Sequence, residues 1–480
     1  MFLRARFFGA FLTAAILSLT VQSPAWIPVS ARAQILKDLS CTGKSDIPAG
    51  QQILGCSDAI ESGTYAGKDL AVALSNRGRA YLDKGELDRA IADYDQAITI
   101  DAGSAISFYG RGAVYFAKKE NDHAIDDLTK SLALDPNFAL AYNGRGNAYA
   151  ARGDIDHAIA DFDSAISIDP KAAYAFNSRG LAYQAKGDVD RAIADFDEAL
   201  HLDPHLALAA NNRGRAYQAK GDIDRAIADY DQAISLDPTY AIAYSNRGGA
   251  YQIKGDYDRA TADYSTAIRI DPNYARAYDS RGSIYGNKGD QDRAIADYDQ
   301  AIRLDPDLAH AYANRGSVYT DKQDYDHALA DLSQAIRLDP RSAQAYYNRG
   351  VVYSIKKDYD RAIADYDQAI RLQPRLPVAL NNRGLAYLGK NESDRAIADY
   401  NEAIRLNPRF SVAFNNRGTA FARKKDYTHA IADYTEAFRL DPGYAEALFR
   451  RGVVRRLNGD RASGDADIVA AKKINPDLAE

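Results

Sequence analysis

Two cysteines, one tryptophan and one methionine in 480 residues exclude most chemistry that depends on those side chains. Cys41 and Cys56 stand in a C-x14-C spacing with no His nearby, which is not the spacing of a thiolate metal centre. No apolar stretch reaches the roughly 20 residues a membrane-crossing helix needs; the uncharged apolar run Phe7 to Val21 has 15. Excess positive charge is missing too, since the formal net charge is -6, so neither a general nucleic-acid role nor a general anionic-membrane role has support. Basic residues cluster locally only near the C-terminus, at Arg450, Arg451, Arg455, Arg456, Arg461, Lys472 and Lys473, where they read as a solvated end.

What is present is lopsided. Thirty-three Tyr against one Trp points to one residue copied many times. The dipeptide Arg-Gly recurs from Arg77 and Arg111 through Arg451 at a constant step of 34 residues. With the Gly as position 8, the first unit is 71–104 and the twelfth 445–478. Within a unit, apolar residues at positions 4, 8 and 11, and again at 20, 21, 24, 27 and 28, have the spacing of two amphipathic helices. A Gly near position 15 (Gly85, Gly153, Gly187, Gly221, Gly255, Gly289, Gly459) suits the left-handed residue that ends helix A, and the acidic residue after it suits the cap of helix B. A Pro at position 32, present in every unit but the first, ends helix B.

This pattern, with Tyr at positions 11 and 24, Ala at positions 20 and 27 and Pro at position 32, resembles the tetratricopeptide repeat family over residues 71–478. Position 7 departs from it: the family often has Leu there, and this chain has Arg in all twelve units. The resemblance implies an all-α fold, a right-handed superhelical solenoid of tandem helix-turn-helix repeats, with a concave groove that binds peptides or partner proteins. Residues 34–70 read as a degenerate capping repeat. Aligning Ala59-Ile60 with Ala97-Ile98 puts Cys56 at the helix-B aromatic position, with four extra residues before the next helix A.

Residues 1–33 read as a secretory signal, with Arg4 and Arg6 ahead of the apolar run and cleavage after Ala25 or after Ala33. The expected location is periplasmic or secreted; the alternative is a membrane tether formed by an uncleaved signal. In an oxidising compartment Cys41 and Cys56 would form a disulfide that staples the cap, the alternative being two unpaired buried thiols.

Two polar patterns invite a role. Arg at position 7 and Asp at position 23 occur in every unit. They read as a structural ladder, each guanidinium resting on a carboxylate of its own or the preceding unit. On helix A, positions 2, 5, 6, 9 and 13 face away from the predicted core and should line the groove. Position 6 is Asn76, Asn212, Asn246, Asn314, Asn348, Asn382 and Asn416, and position 5 adds Asn143, Asn177, Asn211, Asn381 and Asn415. Such amides can hydrogen-bond an extended peptide backbone, or can be polar filler. Gly110, Gly144, Ser178, Ser280 and Arg450 interrupt the row. Heat-shock co-chaperones of the family grip a C-terminal carboxylate with a Lys where this chain has Glu446, so that clamp is not expected.

No catalytic residue, metal site or cofactor is expected. His123, His157, His327 and His429 replace Arg at position 19, and His201, His205 and His310 form no cluster. The functional expectation is a non-catalytic scaffold that holds other proteins or extended peptide segments in its groove, with no nucleic acid bound and no membrane span in the mature chain. The alternative is an architectural or cell-envelope assembly factor acting by self-association or through the convex face.

Overall fold

The structure is a computed structural model that describes Cys41, residues 47–63 and residues 65–478. The leader and its cleavage positions lie outside the described residues. The described residues form 25 helices and no strand, and the chain packs as two units, Met1–Asp256 and Tyr257–Glu480. The first helix, α1 (Ala49–Glu61), packs on α2 (Gly67–Lys84), and α2 pairs with α3 (Leu87–Ile100). Helix A and helix B then alternate, as in Ala173–Lys186 with Val189–Leu202, down to Ala445–Leu457 with Arg461–Ile474.

The helix ends form as the sequence predicts where Asp opens helix B, as at Asp154, Asp188 and Asp290, whereas Glu86, Glu120 and Glu392 make no side-chain cap. Gly153 turns left-handed at φ 88°, which lets the Asp154 amide reach back to the Tyr149 carbonyl at 2.9 Å and close helix A. The Asp154 side chain then accepts from the His157 amide and opens helix B. In units without that Gly the backbone keeps the same turn: Lys119, Gln323, Lys357, Asn391 and Lys425 sit at φ between 61° and 65°, a conformation an L side chain adopts at a cost. The four extra residues ahead of the first unit are helical, so α2 starts at Gly67 and has 18 residues.

The core differs from the single-faced pattern. Ala at positions 20 and 27 and the aromatic at position 24 are buried, but so are the small residues at positions 3 and 10 of helix A. Ala216, at position 10, packs on Ala192 and Phe196 of the preceding unit, and Ala345, at position 3, packs on Ala335 of the preceding unit. Each helix A therefore has two buried faces, one toward its own helix B and one toward the helix B before it. Gly at position 8 makes room for the aromatic: a Cβ on Gly180 would lie 2.7 Å from the Phe196 ring. Tyr at position 11 is only partly buried in most units. Its ring carries the residue at position 19, Arg225 lying 4.6 Å above Tyr217 and His327 stacking at 5.2 Å on Tyr319. The His at position 19 thus stand in for Arg on an exposed face, each also contacting the acidic residue three before it.

Candidate functional site on the A-helix face

Position 7 stitches the stack. Arg145 donates from Nε and Nη2 to both oxygens of Asp161 at 2.8 Å, within its own unit. The same bidentate pair recurs at Arg77–Asp93, Arg179–Asp195, Arg315–Asp331 and Arg451–Asp467. Hydrogen bonding to Asp161 holds the Arg145 guanidinium above its ordinary range. The remaining Nη1 reaches the preceding unit at position 25: Arg179 to Asp163 at 2.6 Å, Arg281 to Ser265 at 3.0 Å, Arg417 to Asn401 at 2.6 Å. Arg77 extends the stitch into the cap, donating to Ser57 at 3.1 Å, which places α1 in the register of a helix B. One guanidinium thereby joins three helices. Three of the five N–H donors of such a guanidinium are engaged within the stack.

Most of the asparagines in the row are already engaged within the stack. The amides at position 6 do not stand free along a groove; most donate to position 5 of the preceding unit. Asn212 donates to Asn177 at 3.0 Å, Asn246 to Asn211 at 2.8 Å, Asn314 to Asp279 at 3.2 Å, Asn382 to the Tyr347 hydroxyl at 3.1 Å and Asn416 to Asn381 at 2.9 Å. Asn76 donates to the Cys41 carbonyl at 2.9 Å. Asn348 is the exception, because position 5 of the unit before it is Ala313; it accepts from Gln344 of its own helix at 2.7 Å. Asn212 is only 3% exposed. The interruptions leave matching orphans: the buried Oδ1 atoms of Asn143 and Asn415 have no partner, and the position-6 residues that follow them are Ser178 and Arg450. Arg450 itself is taken by Glu446.

Exposed on the A-helix face are positions 2, 9 and 13. Within each unit, successive A helices touch one another while B helices make no comparable contact, so the A helices lie on the inner side of each stack. Large apolar side chains stand exposed on this face in both units: Val72, Ile106, Ile242 and Ile253 in the first, and Ile355, Val378, Leu385, Val412, Val453 and Leu457 in the second, Leu385 at 42% and Leu457 at 63%. The aromatic at position 24 reaches the same face from below: the Tyr366 hydroxyl meets Ser354 at 3.1 Å, and burial pushes that phenol up to about 12. In the tenth repeat position 12 is Leu388, which offers no hydrogen-bonding group, and the buried Tyr400 hydroxyl is left without a partner.

Cys41 and Cys56 stand at disulfide distance, their Cα atoms 4.7 Å apart, and both are buried against Ala73 of α2. Among the described residues no three His, Cys, Asp or Glu side chains come together as a metal set, and no helix is long and apolar enough to cross a membrane.

Sequence reasoning missed position 25, although the signal was present: Asp, Thr, Ser or Asn occupies it in eleven units, each an acceptor for the Arg of the next unit, and Val469 takes its place in the twelfth.

Comparison with known proteins agrees with this architecture. Family models described as "TPR repeat" match residues 78–119, 112–153, 146–187, 214–255, 249–289, 282–322 and 316–354, and models described as "Tetratricopeptide repeat" match 173–206, 343–376, 377–410 and 412–444. The curated proteins include no significant match. Among solved structures that resemble the chain, the APC/C hetero-tetramer Cut9-Hcn1 shares 13% identity at TM-score 0.54, covering 94% of this chain and 95% of the other. Yeast Tom70 shares 19% identity at TM-score 0.39, covering 84% and 98%. MamA shares 30% identity at TM-score 0.31 over 34% of this chain and 94% of its own. With its 34-residue helix pairs, its capped turns and family matches along most of its length, the chain belongs to the tetratricopeptide repeat family.

Proposed function

We propose that the chain is a non-catalytic scaffold that holds a protein or an extended peptide segment on the inner, A-helix face of its repeats. The observation that carries this reading is the exposed apolar surface of the ninth to twelfth repeats, from Ile355 to Leu457, on the inner side of a rigid stack. The asparagines enter this reading as spacers that fix one helix A against the next, not as ligands of the partner. The hetero-tetramer of Cut9 with Hcn1, a protein of similar fold, supports a role in assembly. A photo-crosslinking residue at Leu385 or Leu457 should capture partner, and one at Ala364, exposed on helix B, should not. Capture centred on Ala364 would move binding to the outer face and refute the proposal.

We also infer export, from the basic start and apolar run of residues 1–33 and from two cysteines placed to bond. Protein isolated from its host should begin after Ala25 or Ala33 and resist thiol alkylation until reduced. An intact leader, or thiols that alkylate freely, would refute this.

A further inference from the structure

Four of the basic residues that cluster near the C-terminus are neutralised by acidic neighbours, whereas a second set of arginines, dispersed through the sequence, gathers on one edge. At the C-terminal end Arg450 pairs with Glu446, Arg451 and Arg455 with Asp467, and Arg456 with Asp465. Position 29, in the last turn of helix B, changes character along the chain: the first five units have Thr, Ala, Ser, His and Ser there, and from Arg269 onward every unit has Arg or Lys. The eighth to tenth repeats add a second Arg at position 33, in the turn to the next helix A. Six arginines, Arg337 and Arg341, Arg371 and Arg375, Arg405 and Arg409, thus fall on one turn edge of the second unit, all exposed. Arg405 pairs with Glu402, and Arg337 donates to the Gln334 amide. Among the described residues the other four have no carboxylate within ion-pair distance.

The turns themselves have shed charge. Position 31 is Asp in nine units, and its side chain braces the turn, as Asp339 does by accepting from the Arg341 amide at 3.0 Å. In the ninth and tenth repeats it is Gln373 and Asn407. Asn407 accepts from the Arg409 amide at 3.2 Å, so the brace is kept and the negative charge is gone. Along the same edge large aliphatic side chains stand in water: Leu372 at the end of helix B is 37% exposed, and Val378 and Val412 at the starts of the following A helices are 40% and 38% exposed.

The geometry points to a peripheral membrane contact, in which the turn edge of the eighth to tenth repeats lies on an anionic lipid surface. Its arginines would meet the lipid phosphates, and Leu372, Val378 and Val412 would enter the headgroup boundary. A soluble polyanion would use the arginines alone; the interleaved aliphatics are what favour lipid. The net charge of -6 does not oppose this, because charges beyond about 10 Å are screened at ordinary ionic strength. The membrane contact shares Val378 and Val412 with the apolar inner face, but its arginines play no part in the partner reading and Leu385 and Leu457, where the partner is probed, play none in the contact, so either can fail without the other.

The test is cosedimentation of the full chain with phosphatidylcholine vesicles containing about 30% phosphatidylglycerol, and with phosphatidylcholine alone. The chain should pellet with the anionic vesicles only, and less as salt rises. Arg341→Gln, Arg371→Gln, Arg375→Gln and Arg409→Gln together should weaken partition by several hundredfold, about fivefold for each arginine, with unchanged melting. Leu372→Ser with Val378→Ser and Val412→Ser, all charges kept, should weaken it about tenfold or more. A parent that stays in the supernatant, or an arginine variant that pellets like the parent, overturns the proposal. So does an aliphatic variant that pellets undiminished, above all where the chain also binds polyglutamate through the same arginines, which would make the edge a site for acidic proteins.

Discussion

Replacing Arg315 by Lys keeps the charge and removes the fork. In the parent, Nε and Nη2 bind the two oxygens of Asp331 at 2.7 Å, and Nη1 crosses to Asp299 of the preceding repeat at 2.5 Å. Asp331 is almost wholly buried, whereas Asp299 is half exposed. The second contact is therefore worth about 0.2–1 kcal/mol and the first carries most of the effect. A single ammonium cannot serve both carboxylates, so Lys should cost about 1.5–3 kcal/mol. Arg315→Ala strands a buried carboxylate and should cost about 3–5 kcal/mol. Adding Asp331→Asn to the Ala variant removes the stranded charge and should restore at least about 1 kcal/mol, a recovery that a purely steric role would not give. Urea unfolding gives the magnitudes. Hydrogen exchange gives the location, since neighbour-only contacts confine new opening to the repeats beside Arg315. A Lys variant within about 0.5 kcal/mol of the parent, or opening spread evenly over the array, would refute the stitch.

Asn212→Ala should lower stability by about 1–3 kcal/mol because the Asn177 oxygen loses its donor in a buried place, while Asn348→Ala, whose amide bonds only within its own helix, should stay within about 0.5 kcal/mol; equal effects from the two, by urea unfolding, would dismiss the inter-repeat ladder. Lys357→Gly should raise stability by about 1 kcal/mol, since φ at 61° strains any L side chain, and a loss of stability would show that the Lys357 side chain contributes more than its backbone costs. Burial raises the Asp279 carboxyl above its ordinary range, so its charge costs stability at neutral pH and the cost fades as pH drops through that raised value. Asp279→Asn should therefore melt higher than the parent at pH 7, with the gap closing below about pH 4, and a gap that widens in acid would reverse the sign.

Much of the fold was legible because it depends on contacts within one unit. The glycine at position 15 and the acid after it fix the turn between helices locally, and the arginine at position 7 and the aspartate at position 23, as in Arg145 and Asp161, lie 16 residues apart within a single hairpin. The small residues at positions 3 and 10 escaped for the opposite reason. A helical wheel assigns one apolar face, and Ala216 is buried by Phe196, 20 residues upstream in another unit, on a side outside that face. The same blindness hid the bonds between asparagines of adjacent units. Asn212 and Asn177 are 35 residues apart, one residue more than the repeat, and no reading of a single helix pairs them.

This offset also decides what the A-helix face can offer. Most residues at positions 5 and 6 join one helix A to the next, so the spacing of the inner face is set by bonds within the stack. Positions 2, 9 and 13 are then free to vary. They do: position 9 is Arg79, Asn147, Leu181, Gly249, Ser317 and Val453 in different units, while the arginine at position 7 does not change. A constant lateral lattice with a variable exposed column lets one repeat be copied for stability and edited for recognition. In such an array specificity is to be sought at the positions that differ between copies, and the residues common to all twelve explain only why the copies stack.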